Sequence, residues 1–156
     1  MTSTTPDPRH GARELALQGL YQRQVAGNAD AAIRASLEES EGHARADPRY
    51  FDALWRGVTG AWDALLAASA PHSARAIAEL SPIERAIVAI GTWELVHRQE
   101  IPYRAVIDEA VELAKAYGGT DGHKYVNGVL DKVARSVRAA EIAAASRRSG
   151  RPTGAP

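Results

Sequence analysis

Four stop-and-start signals divide this chain, and between them apolar residues return at every third or fourth position. Asp47-Pro48 places a capping carboxylate before a proline that fits the first turn of a helix. Ser81-Pro82-Ile83-Glu84 has the form of a capping box. Ile101-Pro102 breaks a helix, because the residue before proline is pushed to extended geometry. Gly118-Gly119 is expected to supply a left-handed helix C-cap. Only helices of ordinary length fit between such marks.

The apolar spacing predicts where they run. Leu17, Leu20, Tyr21 and Val25 line one face of a helix from Arg9 to Ala26, which Gly27-Asn28 stops. Asp30 can cap a short helix carrying Ile33 and Leu37, and the polar segment 38–47 reads as a loop or a frayed end. Phe51, Trp55, Val58, Trp62 and Leu65 form one stripe that ends before Pro71 and reads as core. Residues 74–80 suit a short helix. Ile83, Ile87, Ile90 and Glu94 share a side of the next, to about Arg98. Val106, Ala110, Leu113 and Tyr117 follow, and then Val126, Val129, Leu130, Val133 and Val137 on a helix capped by Thr120 or Asp121. With 31 alanines in 156 residues, the composition agrees. The expectation is an all-α protein of about seven helices in two packed sub-bundles. Residues 9–138 form the helical domain, between a disordered tail at 1–8 and a basic, disordered tail at 139–156.

The formal net charge is zero, but it is unevenly placed. Residues 132–156 carry a net +5 and the remainder a net −5. An acidic body with a basic end suits a basic protein partner better than a long stretch of nucleic acid. There is no cysteine, so no disulfide and no thiolate site, which fits a reducing cytoplasmic setting. No apolar run approaches the ~20 residues of a membrane span, and the first residues lack the apolar core of a signal peptide. The zinc-protease, phosphate-loop and serine-hydrolase motifs are missing, and the five histidines lack metal-like spacing. The chain is therefore expected to be no enzyme and to hold no cofactor or metal. Asp108, Glu109 and Glu112 form an acidic cluster that reads as a solvated face, a docking surface for a basic partner or a catalytic carboxylate pair, the last needing a pocket and a shifted pKa.

One constellation remains, the segment YGGTDGHKYVNGVLDK from Tyr117 to Lys132. Its cations His123 and Lys124 stand in the first turn of a helix, against the helix dipole, where an anion such as phosphate would compensate them. Tyr117 and Tyr125 could flank the same connection, and aromatic rings beside cations suit unstacked RNA bases. The same two rings also suit half-buried packing, and the residues alone leave both readings open.

Longer runs carry a resemblance. ARELALQGLYQ at 12–22, RYFDALWRGV at 49–58, SPIERAIVAIGTWEL at 81–95 and IPYRAVIDEAVELAKAYGGTDGHKYVNGVLDKVA at 101–134 resemble the NusB family of transcription antitermination factors, over about residues 9–138. The resemblance implies an all-helical protein with two bundles that binds boxA RNA of nascent transcripts. It implies a partner, NusE, which doubles as a protein of the small ribosomal subunit, and action with other Nus factors on RNA polymerase at terminators. Carried over by motif, the RNA surface falls on Arg9, Arg13 and Tyr21, and on Tyr117, Asp121, Lys124 and Tyr125; Glu84 falls on the NusE side. The chain departs from the family at its front, where Arg9-His10-Gly11-Ala12-Arg13 replaces a tight arginine cluster. Fewer phosphate contacts imply weaker binding and a shallower salt dependence, by ~0.7 in slope per lost single-strand contact. Some members dimerise, which could mask the RNA surface. NusB-like domains also precede ribosomal RNA methyltransferase domains; here 18 residues follow Arg138, too few for a nucleotide-binding fold.

Overall fold

The structure is a computed structural model that describes residues 7–154, with side chains through residue 148. Among the described residues there are nine α-helices and no strand. They are α1 (Pro8–Val25), α2 (Asp30–Glu38), α3 (Glu41–Arg45), α4 (Pro48–Gly60), α5 (Trp62–Ser69), α6 (Pro82–His97), α7 (Tyr103–Tyr117), α8 (Gly122–Val137) and α9 (Ala139–Gly154). Two 3₁₀ turns, Ala70–His72 and Ile77–Glu79, join α5 to α6. No helix is long and apolar enough to cross a membrane.

Two of the expected caps act as predicted, whereas Asp30 does not cap α2: Ala29 is the N-cap, and the Asp30 carboxylate instead accepts from Arg23. Asp47 accepts from the backbone N–H groups of Arg49 and Tyr50, and Ser81 and Glu84 close a reciprocal capping box. Gly27 takes the left-handed backbone, φ 70°, that ends α1. The helix α6, buried along most of its length, packs against α1, α4, α5, α7 and α8. One continuous core follows, with the predicted stripe residues Phe51, Trp55, Val58 and Leu65 inside it.

Several expectations change. The count is nine helices rather than about seven. The stripe from Phe51 to Leu65 is split at Ala61, because Thr59-Gly60 propagates a helix poorly and Arg23 takes the Thr59 carbonyl. Segment 41–45 is a helical turn rather than a loop. Gly118 is extended rather than left-handed. It is glycine because a Cβ there would lie 2.7 Å from the Ala114 carbonyl oxygen, to which its own N–H donates. The segment after Arg138, expected to be disordered, continues as α9. Its alanines favour helix, Ile142 packs against the core, and Glu141 accepts from both Arg138 and the Tyr103 N–H. Of the expected tail at 1–8, residues 1–6 lie outside the described residues; Asp7 caps α1 and Pro8 begins it.

Arg138 is fully buried. Its guanidinium donates to the carbonyls of Glu94, Leu95, Arg98 and Ile101 and to the Glu141 carboxylate. The acceptors at Glu94, Leu95 and Arg98 lie at the C-terminal end of α6, where the helix dipole is negative; each also accepts a second donor, from the Arg98 N–H, the Gln99 amide and the Ile101 N–H in turn.

Candidate nucleic-acid interface

Helix α1 carries the first group of candidates. Asp7 accepts from the Arg9 N–H at 3.0 Å, and Pro8 follows at the first helical position, so Arg9, His10, Arg13 and Glu14 sit in the opening turns. Arg9 is half-buried, with its guanidinium 4.8 Å from the centre of the Tyr50 ring.

Arg13 requires a correction, because its side chain is 4% exposed. Its Nε donates to both oxygens of Glu94, at 2.9 and 3.1 Å, and its Nη1 lies 3.3 Å from Glu109. The Tyr50 hydroxyl also donates to Glu94. Burial raises the Glu94 carboxyl above the ordinary range, while Arg13 and Tyr50 draw it back. Burial is the largest influence on Arg13 and opposes its charge, but Glu94, Tyr50 and Glu109 together outweigh it and hold the guanidinium protonated. Arg13 is thus spent inside the fold, joining α1 to α6 and α7, and offers no guanidinium to a phosphate.

Tyr21 and Tyr117 line one groove, a pairing that the spacing did not predict. Both rings are exposed, 41% and 47%, and both line a groove of about 510 Å³ between α1, α2 and the ends of α6 and α7. Leu17 and Ile83 supply its apolar floor, and Glu14, Gln18 and Gln22 its polar edge. The Tyr117 hydroxyl donates to Glu14 at 2.9 Å, and partial burial with that carboxylate keeps the phenol protonated.

Tyr125 does not share that groove. It is half-buried, hydrogen-bonded to Ser73, with the Arg75 guanidinium 5.6 Å from its ring centre. With Lys124, Gly128, Lys132 and His72 it lines a separate hollow of about 180 Å³. Tyr117 faces α1, whereas Tyr125 faces the α5–α6 connection. Glu84 lies between, buried, with one oxygen in the capping box and 3.7 Å from Arg75. A Cβ on Gly122 would come within 3.0 Å of its other oxygen. Asp121 makes no cap bond to α8; its carboxylate stands 3.5 Å from Lys124, and both side chains are 73% exposed. Such a surface pair is weak and leaves Lys124 free to exchange Asp121 for another anion.

Arg75, His72 and Lys132 were missed in the sequence. Lys132 had a readable signal, since Lys124, Gly128 and Lys132 stand four apart on one face of α8. Arg75 and His72 had none, because they lie in a connection without period. Among the described residues no three or more His, Asp or Glu side chains converge as a metal site.

Comparison with known proteins adds to this geometry. The family model described as NusB family matches residues 10–135. A transcription antitermination protein NusB from Thiobacillus denitrificans is 52% identical over 140 residues, covering 90% of this chain and 97% of the relative. Its counterpart in Nitrosospira multiformis is 55% identical over 132 residues, covering 85% and 84%. Among solved structures, T. maritima NusB superposes with a TM-score of 0.75 at 25% identity, covering 88% of this chain and 98% of that one. A chain from a complex described as antitermination factors NusB and NusE with dsRNA has the same fold, with a TM-score of 0.71 at 23% identity, covering 82% and 96%.

Proposed function

The chain belongs to the NusB family, and from that premise we propose that it is a transcription antitermination factor that binds boxA-type single-stranded RNA together with NusE. It acts as a binding protein rather than an enzyme, in the cytoplasm, within a larger assembly of Nus factors on RNA polymerase. The observation that carries the reading is the pair of exposed rings, Tyr21 and Tyr117, in one groove on a fold whose other large aromatics are mostly packed away. Exposed rings on a rigid helical edge are platforms for unstacked bases, worth ~1–3 kcal/mol per base. Lys124, Arg75 and Lys132, beside Tyr125, supply a second, cationic patch for the backbone.

NusE fits as partner through charge. The acidic excess of residues 1–131 complements a basic ribosomal protein, which would steer encounter and add its own cations to an RNA surface short of them. The test is a titration of boxA RNA against a scrambled RNA, with and without NusE. A boxA preference that tightens with NusE is expected. Equal affinity for both RNAs together with no tightening by NusE would overturn the function.

A further inference from the structure

The side chain of His10 lies between two carboxylates. Its Nδ1 is 2.7 Å from Glu109 on α7, and its Nε2 is 3.6 Å from Glu14, one turn along α1. The same Glu14 oxygen accepts the hydroxyl of Tyr117. A path therefore crosses from α7 to α1 and back, from Glu109 through His10 and Glu14 to the exposed ring. A neutral imidazole has one N–H and can serve only one carboxylate, turning a lone pair on the other. The imidazolium serves both.

We propose that His10 and Glu14 are positioning residues for Tyr117: the protonated imidazole fixes the Glu14 carboxylate, and Glu14 fixes the ring presented to a nucleobase. This rests on the RNA-binding reading above and adds a regulation to it, because ring placement then follows the proton on His10. Partial burial alone would lower the His10 pKa, but the hydrogen bond and charge of Glu109, with the charge of Glu14, leave it above the ordinary imidazole value; Arg13 opposes them. The other charged groups around the path are Arg45 on α3, which faces Tyr117, and the Glu112–Lys115 pair one turn further along α7.

The experiment uses the full chain with labelled histidine and tyrosine rings, followed by NMR across pH. The Tyr117 resonances are expected to move with the His10 midpoint. His10→Asn should abolish that movement, and Glu14→Gln should uncouple the ring while His10 still titrates. With boxA RNA at constant salt and a pH below the His10 midpoint, His10→Asn should weaken binding about threefold, the effect of one partly exposed ion pair such as His10–Glu14. The same change in a Tyr117→Phe background, which keeps the ring but not the hydroxyl, should cost nothing. Tyr117 resonances indifferent to His10, or an equal cost in both backgrounds, would overturn the proposal. A chain that binds no RNA at all overturns the function, and the shared midpoint still decides the coupling.

Discussion

Among the described residues two arginines are buried, and they are satisfied in opposite ways. Arg13 meets carboxylates, Glu94 and Glu109, in a cluster closed by the Tyr50 hydroxyl. Arg138 meets chiefly backbone carbonyls, four of them, with one carboxylate at the edge. In the first site, charge is cancelled by charge. In the second, a charge is solvated by backbone carbonyls where α6 ends and α7 begins. The first kind of site can be replaced as a unit, while the second has no unit to replace.

This difference can be broken by substitution. Arg138→Leu is expected to cost the most, roughly 5 kcal/mol in a urea titration, since four carbonyls and Glu141 lose hydrogen bonds from a charged group, each worth about 1.5–3 kcal/mol. No single change at Glu141 should rescue it. Arg13→Leu should cost about 3–5 kcal/mol by leaving Glu94 buried and unpaired, and Arg13→Leu with Glu94→Leu should recover most of that loss. If the double variant is no better than the single one, the two sites do not differ as described. The single variant has a further signature in pH. Burial raises the folded-state pKa of Glu94; with Arg13 gone, the native state binds a proton more readily than the unfolded chain. Its stability should therefore rise as pH falls through that raised value, and fall as pH climbs.

His10 should give a smaller effect of its own. Its folded-state pKa is raised, so its contribution is present below the ordinary histidine value of 6.5 and is lost as pH rises through the folded one. Comparing His10→Asn with the parent across that window isolates it. Arg9→Ala is expected to do least to folding, within about 0.5 kcal/mol. It should instead weaken RNA binding and flatten the salt dependence by ~0.7 in slope. An unchanged slope would remove Arg9 from the interface.

The periodic reading located the helices well because caps and stripes are local. Asp47, Ser81 and Glu84 do in three dimensions what their spacing implies. It erred where charge and period disagreed. Arg13 stands four residues before Leu17 and seven before Leu20, on the inward face of α1. Arg138 continues the row Leu130, Ala134 on α8. Period placed both inside, but an arginine is read as surface unless its partners are known, and those partners lie 81 and 43 residues away. Glu94, on the same side as Ile83, Ile87 and Ile90, was the matching half of the signal. At the candidate interface, the pairing of Tyr21 with Tyr117 follows from the fold. The separation of Tyr117 from Tyr125 could not be read, because it depends on which neighbour each face of the α7–α8 connection meets.

The Arg138 cap also has a consequence in time. Helix α6 leaves the ribosome before the side chain that closes its far end, which is encoded 43 residues after one of the carbonyls it caps. A nascent chain that has reached α7 holds the end of the central helix with only its local partners, the Arg98 N–H and the Gln99 amide. The longer-range contact waits on a guanidinium made after α8, so the chain's own order of synthesis sets the earliest moment at which it can form.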